Sequence, residues 1–293
     1  MVKEKKKVAF ISVIAAVFLT GFKLIIGLLT GSLGILSEAL HSGLDLVAAV
    51  ITYFSVKISD KPADEEHNYG HGKVENLSAF FETILLLITC VWIVFEAVDR
   101  IINKNTHIEV TIWSYVVVIS SIIIDINRSR MLAKAAKKHN SQALEADALH
   151  FSTDIWSSVV VLLGLIGAQF GLFLADSIAA IAVALIVLFV SYRLGRRAID
   201  VLIDKAPTGS KGIVNQILEK YPEVKRYHQL KLRTSGADTF IKFNIHVDPL
   251  ISLKETHELC DKIEQDIKDQ IPRSEIFIHA EPEEESHILQ EME

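Results

Sequence analysis

The chain has 293 residues, of which 50% are hydrophobic, and its mean hydropathy of +0.34 is too high for an ordinary soluble domain. Its net charge of −6 and the lack of a basic domain argue against nucleic acid as a partner, because phosphate binding requires concentrated positive charge. The two cysteines, Cys90 in an apolar run and Cys260 in a charged tail, do not make a disulfide framework, and both are expected to be reduced thiols.

Six apolar runs are each close to the ~20 residues that a helix needs to cross a bilayer. The first run is longer than the ~7 to 15 apolar residues of a signal peptide and lacks an obvious cleavage site, so it is interpreted as a retained helix. The apolar part ends near Asp204, which predicts an all-α transmembrane domain over residues 1–206 and a cytoplasmic domain over residues 207–293. The candidate spans are roughly 8–29, 33–57, 77–99, 110–129, 148–170 and 172–193.

Positive charges before the first run and between the fourth and fifth runs predict which side of the membrane those segments face. The loops on the opposite side are poor in Lys and Arg, and six crossings place both ends of the chain on one side. We therefore expect an integral protein of the inner (plasma) membrane with both termini in the cytoplasm. The cations that carry this prediction are Lys3, Lys5, Lys6, Lys7, Arg128, Arg130, Lys134, Lys137 and Lys138.

Two of the runs contain the same polar pattern, H-x-x-x-D, formed by His41 and Asp45 in the second run and by His150 and Asp154 in the fifth. Residues four apart share a helix face, so two facing helices would offer two imidazoles and two carboxylates. This donor set suits Zn²⁺, which takes tetrahedral nitrogen and oxygen ligands, while iron, cobalt, cadmium and manganese remain compatible with it. The alternative is two unrelated polar pairs that bond their own helices or their neighbours, but the repetition of the pattern favours a metal site.

These paired motifs, the sequence D-E-E-H-N-Y-G-H-G-K at 64–73 and the acidic His-bearing tail together resemble the cation diffusion facilitator family over essentially the whole chain. The resemblance implies a homodimeric metal and proton antiporter with six spans and a cytoplasmic α+β domain of ferredoxin-like fold. In some bacterial relatives the first intramembrane ligand is Asp where this chain has His41, and in the family a histidine there goes with zinc preference. The resemblance therefore favours zinc over cadmium or iron.

The loop between the second and third runs carries Asp64, His67 and His71 at i, i+3 and i+7, with glycines able to relax the backbone between them. The resemblance places a second metal site there, and the alternative is a hydrated polar loop. By the same likeness, Lys73 and Asp204 form a charge pair that locks the membrane and soluble parts together near the dimer interface.

The tail is predicted to contain a helix near 210–220, strands near 225–234 and 238–248, a helix near 252–270 and a strand near 275–280. This αββαβ order is consistent with α+β packing. The resemblance implies a regulatory binuclear metal site in the tail, with Glu281 standing where Asp is familiar, although a lone histidine on a strand is more often exposed or hydrogen-bonded than a ligand. The residues matched to that site are His228, His246, His257, His279 and Glu281.

Several polar residues fall outside these patterns. Asp125 in the fourth run is expected to pair with Lys23 or with a donor of a neighbouring span. Glu38 and Asp147 lie one turn from the metal-pair residues and are candidates for orienting the histidines. The acidic run at 281–285 is interpreted as a solvated end. Three histidines are assigned to the surface: His107, His139 and His287.

Metal and protons should compete for the same lone pairs, because Zn²⁺ needs neutral His and ionised Asp. Free imidazole titrates near ~6.5, so a site facing a neutral cytoplasm would bind metal and one facing a more acidic exterior would release it. The sequence therefore predicts efflux of divalent transition metals, with Zn²⁺ favoured, by proton antiport with alternating access. No phosphate-loop motif is present to suggest an ATP-driven pump. The alternatives are an intramembrane metallohydrolase, whose H-E-x-x-H motif is missing, and a non-transporting metal sensor.

Overall fold

A computed structural model describes residues 2–31, 33–103, 112–169 and 173–283, so His107 and His287 lie outside the described residues. The chain divides into two compact units, Met1–Ile199 and Asp200–Glu293. In the first unit the described residues form six long helices. These are α1 (Val2–Thr30), α2 (Leu33–Ser59), α3 (Lys73–Asn103), α4 (Ile112–His139), α5 (Gln142–Gln169) and α6 (Phe173–Leu202).

Three segments within these helices are long and apolar enough to cross a membrane, judged over the described residues: Lys3–Thr30, Glu38–Ser59 and Lys73–Asp99. Large apolar side chains such as Phe18, Leu29 and Phe95 are exposed on the helix surfaces, which fits a hydrocarbon environment. The prediction of six crossings stays a prediction.

Small residues let the helices of the first unit approach one another closely. Alanines are buried on α1, α2, α3 and α5, and α1 packs against α2 and α4 while α5 packs against α2, α3 and α4. Gly195 on α6 lies so near α3 that a Cβ there would stand 2.7 Å from Cγ2 of Thr83. The buried core around Leu132, Leu144 and Phe151 joins α4 to α5.

Two features of the first unit correct the sequence-based expectation. Arg128 does not lie in a loop between the fourth and fifth spans, because α4 continues to His139 and only Asn140 and Ser141 separate it from α5. His139 is not a surface residue, since its side chain is 2% exposed and lies 3.3 Å from Glu4. Both corrections have one physical reason, which is that the helices run well beyond the ~20 residues that hydrocarbon requires.

The second unit contains α7 (Ser210–Leu218), β1 (Arg226–Ser235), β2 (Asp238–Val247), α8 (Leu253–Gln270) and β3 (Ser274–Pro282), in the predicted αββαβ order. Strand β2 is central, antiparallel to β1 and parallel to β3. The turn between β1 and β2 begins at Gly236 with a φ of 61°, a conformation that glycine adopts without strain. Helix α8 starts with a capping box formed by Ser252 and Glu255.

The two faces of this sheet have different chemistry because successive strand residues point to opposite sides. On β2, Ile241, Phe243 and Ile245 are buried in a core that also contains Ile217 of α7 and Ile263 of α8. The intervening positions of β2 therefore point away from both helices. That second face carries the polar residues of the tail.

Candidate metal centres

The four H-x-x-x-D residues of α2 and α5 meet in one buried cluster. Nε2 of His150 lies 3.0 Å from Oδ1 of Asp45 and 3.6 Å from Oδ2 of Asp154. Nε2 of His41 lies 3.7 Å from Oδ1 of Asp154 and 4.0 Å from Oδ1 of Asp45. Each helix contributes one His and one Asp from a single face, so the contacts between residues of different helices join α2 to α5. His41, at 34%, has the most exposed side chain of the four.

The spacing of these atoms suits a small divalent ion. Ligands placed ~2.0 to 2.2 Å from a tetrahedral Zn²⁺ lie about 3.3 to 3.6 Å from one another. The distances within the cluster bracket that range, and one ligand atom each from His41, Asp45 and Asp154 lies within 4.8 Å of the others. Two carboxylates would balance the charge of the ion, and two imidazoles would favour borderline metals over Mg²⁺ or Ca²⁺.

The residues expected to orient these histidines have other partners. Glu38 accepts a hydrogen bond from Lys23 at 3.1 Å, and Asp147 accepts one from Ser12 at 3.3 Å. Among the hydrogen bonds of the described residues, neither carboxylate bonds to His41 or His150. The expected pairing of Asp125 with Lys23 is also absent there, since Asp125 pairs with Arg128 of its own helix at 3.2 Å.

The loop after α2 brings Asp64, His67 and His71 together outside the membrane helices. Nδ1 of His67 lies 3.2 Å from Oδ1 of Asp64, and Nε2 of His71 lies 3.3 Å from Oδ2. Gly70, with a φ of 70°, turns the chain between the two histidines. The backbone N–H of His67 donates to Asp64 at 2.6 Å and is the main reason that the pKa of this carboxyl lies below its usual range. The carboxylate is therefore ionised and available to a cation.

A third cluster occupies the polar face of the tail sheet, where His228, His246 and Glu281 stand on three neighbouring strands. Nε2 of His246 lies 3.2 Å from Nδ1 of His228 and 3.5 Å from Oε2 of Glu281. The register pairs His246 with Glu281 and Asn244 with both His228 and His279, which puts all of them on one face. His279 is more exposed and lies 3.4 Å from Oε1 of Glu281.

His257 is not brought to this cluster within its own chain. It lies on α8, which packs on the opposite face of the sheet, and its side chain is 75% exposed beside Asp261 at 3.7 Å. A ligand role for His257 in the cluster of His228, His246 and Glu281 stays a prediction.

Two residues of the tail cluster were missed from the sequence. Asn244 donates to Oε1 of Glu281 at 2.8 Å, and Glu283 lies 3.4 Å from Nδ1 of His246 while it also accepts from Arg226. The expectation that residue 283 belongs to a solvated end was wrong, because β3 runs to Pro282 beside β2 and the next N–H still bonds to Val247. The sequence signal that could have placed Glu283 on the polar face is the alternation of positions 279, 281 and 283 along one strand.

The charge pair implied between Lys73 and Asp204 stays a prediction, since the two residues belong to different units. Within the second unit, Oδ1 of Asp204 lies 3.7 Å from Nη1 of Arg233.

Comparison with known proteins identifies the family of the chain. Residues 9–203 match the family described as the cation efflux transmembrane domain, and residues 207–283 match the cation efflux protein cytoplasmic domain. The chain is 35% identical over 261 residues to an uncharacterised transporter of Methanocaldococcus jannaschii, covering 88% of this chain and 91% of that one. It is 28% identical over 256 residues to the cation-efflux pump FieF of Pectobacterium atrosepticum, covering 86% and 84%.

Among solved structures, the metal-bound C-terminal domain of the CzcD transporter from Thermotoga maritima is 32% identical, with 25% of this chain and 86% of that one covered and a TM-score of 0.24. The two family matches together span nearly all of the described helices and strands. The chain therefore belongs to the cation diffusion facilitator, or cation efflux, family, and it is a cation efflux transporter rather than an enzyme.

Proposed function

We propose that this transporter exports divalent transition-metal ions, with zinc favoured, from the cytoplasm in exchange for protons. The observation that carries the proposal is the set of His41, Asp45, His150 and Asp154, in which each imidazole lies 3.0 to 4.0 Å from both carboxylates. Four donors of this type complete a tetrahedral shell with no open position for a reacting water. Such a site binds cargo and does not perform hydrolysis.

Proton coupling follows from the chemistry of the donors. Zn²⁺ binds neutral imidazole and ionised carboxylate, and protons compete for the same lone pairs. Because α2 and α5 each supply half of the ligands, a relative movement of the two helices would open the shell and release the ion. Alternating access then requires metal to leave on one side and protons to replace it, so that buried carboxylates are never left without a counter-charge.

We further propose a homodimer with six spans, both termini in the cytoplasm and a ferredoxin-like tail. Lys3, Lys7, Arg130, Lys134 and Lys137 are exposed at the ends of α1 and α4, which supports a cytoplasmic position for these ends. The proposed tail site regulates transport, and the proposed charge pair of residues 73 and 204 joins the two units.

The direct test is zinc uptake by proteoliposomes that contain the purified protein. Asp154→Ala or His150→Ala should reduce uptake to the level of empty vesicles while the protein still elutes as a folded species. Glu145→Ala, which removes a more exposed carboxylate from the same helix, is the matched control and should transport as the parent does. Unchanged uptake by the Asp154 and His150 variants would refute the site, and zinc binding without uptake by the parent would favour a sensor.

A pH gradient tests the exchange itself. Zinc uptake is measured in vesicles in which the cytoplasmic face of the protein is turned to the bath. With the lumen acidic and the bath neutral, this uptake should accelerate. Collapsing the pH gradient should slow it to the rate set by the metal gradient alone. A rate that ignores the gradient would leave a uniporter.

Metal choice is tested by His41→Asp, which replaces a borderline nitrogen donor with a hard oxygen donor. The variant should discriminate less against cadmium, manganese or iron. A selectivity profile equal to that of the parent would show that His41 does not set the choice.

A further inference from the structure

A buried guanidinium lies in the helix bundle close to the intramembrane cluster. Arg128 of α4 is 3% exposed, and its Nη1 donates to Oδ1 of Asp125 at 3.2 Å. Its Nη2 donates to the hydroxyl of Ser12 on α1 at 3.2 Å. Its Cζ stands 3.5 Å from the centre of the Phe151 ring on α5, so one planar group contacts three helices.

These contacts reach α5 on both sides of His150. The hydroxyl of Ser12 accepts a hydrogen bond from Arg128 and donates one to Oδ2 of Asp147 at 3.3 Å, one turn before His150. Phe151 follows His150 directly, is fully buried, and lies edge-on to the imidazole at 5.4 Å between ring centres. Arg128 therefore contacts α5 directly at Phe151 and, through Ser12, at Asp147.

The orientation of the His150 ring depends on the α5 backbone more than the orientation of a metal-binding histidine usually does. A metal-binding imidazole is normally oriented by a hydrogen bond to its second ring nitrogen. Nδ1 of His150 is buried and has no hydrogen-bond partner among the residues that the structure describes. The 3.0 Å approach of its Nε2 to Asp45 must then be set by where α5 is held.

We propose that Arg128 is a positioning residue for the metal site, and that its contacts with Phe151 and with the Ser12 and Asp147 pair hold the His150 and Asp154 half of the shell at the distance that binds the ion. This inference rests on the proposed transport of metal through that shell. The competing explanation is that Arg128 only neutralises Asp125, a buried carboxylate that needs a cation.

A double variant separates the two explanations. Asp125→Asn with Arg128→Met removes both charges of this pair, so Asp125 is not left as an unpaired carboxylate, and the methionine still fills space beside Phe151. If Arg128 only neutralises its partner, the double variant should bind zinc as the parent does. If Arg128 positions α5, zinc affinity should fall on the order of tenfold and KM for uptake should rise, because the contacts that orient the site are gone.

Equilibrium zinc binding is measured on the full-length protein in a background with His71→Ala and His246→Ala, which disables the other two clusters. The matched control is Arg197→Met, which removes an arginine that pairs with Glu145 of α5 at 2.8 Å on a more exposed surface. It should leave zinc affinity within about twofold of the parent.

Arg128→Lys is the second variant, used in case the double variant does not fold. It keeps a cation for Asp125 but lacks the planar fork that reaches Ser12 and stacks on Phe151, so its zinc affinity should also fall. Parental affinity in either folded variant would overturn the proposal. A parent that binds zinc without moving it across the bilayer would instead refute the proposed export, while the binding comparison would still decide the role of Arg128.

Discussion

Lys5→Met should destabilise the first unit strongly, although the sequence places this lysine in a run of cytoplasmic cations. The side chain is buried, and its Nζ lies 2.7 Å from Asp60 at the end of α2 and 2.9 Å from Glu75 at the start of α3. Ser59 donates to the same Glu75 at 2.8 Å, and Ser141 before α5 also donates to it. One ammonium thus connects α1 to the two ends of the loop that holds Asp64, His67 and His71.

The magnitude follows from what the substitution leaves behind. Removing one partner of a buried ion pair costs about 3 to 5 kcal/mol, because the remaining charge keeps its desolvation penalty and loses its compensation. Here two carboxylates, Asp60 and Glu75, would both lose their cation. The unfolding equilibrium should shift by at least about 100-fold. Lys138→Met is the control, since Lys138 pairs with Glu4 at 2.6 Å on an exposed surface and its loss should change stability little.

Denaturant unfolding of the detergent-solubilised protein measures this difference. Lys5→Met should lower the midpoint well below that of Lys138→Met. Adding Asp60→Asn and Glu75→Gln should recover much of the loss, because no unpaired charge then remains buried. Equal midpoints for the two lysine variants would mean that Lys5 is hydrated in solution and that the buried network does not hold the helix ends.

Three further predictions concern the loop and the tail. Asp64→Asn should weaken zinc binding at the loop by the same factor at about pH 5 and about pH 7. The reason is that the pKa of Asp64 is lowered, so its charge is lost only below the usual value of ~3.9. Binding isotherms that show a smaller effect at the lower pH would contradict this. His246→Ala should weaken zinc binding by the tail far more than His257→Ala does, since the side chain of His246 is 1% exposed within the cluster. Calorimetry that shows equal losses of zinc affinity for the two variants would mean that a second copy supplies His257. Ser252→Ala should cost about 1 kcal/mol at the start of α8 and speed amide exchange there about fivefold in the full-length protein, whereas unchanged exchange would show that the cap contributes nothing.

The tail elements were predictable because each has a strong local signal. Phe243 and Ile245 alternate with polar residues on β2, and Ile263 and Ile267 recur at helical spacing on α8, so period alone separated strand from helix. The side of the sheet on which the histidines lie also follows from this alternation, since His246 is out of phase with Ile245. The alternation does not show on which face of the sheet each helix packs. For this reason the sequence matched His257 to a site that its own helix does not reach.

The grouping of the four H-x-x-x-D residues was predictable for a related reason. A spacing of four places His41 with Asp45, and His150 with Asp154, on one face of each helix whatever the rest of the fold does. That the two faces meet depends on the packing of α2 against α5, which no local pattern specifies. The repetition of the motif indicated that the two faces meet, because a polar face on an apolar helix is costly and requires a partner of matching chemistry.

The buried cations had no such signal. Lys5 and Arg128 stand in stretches rich in Lys and Arg, and nothing in their sequence context separates them from exposed neighbours such as Lys7 and Arg130. Their burial depends on carboxylates and hydroxyls that are far away in sequence and come close only when the helices pack. In the folded bundle the charges of these two cations are matched by buried partners, whereas the exposed cations keep free positive charge at the helix ends. We therefore expect that neutralising Lys7 and Arg130 together with their exposed neighbours disturbs the proposed orientation, whereas neutralising the two buried cations disturbs the fold.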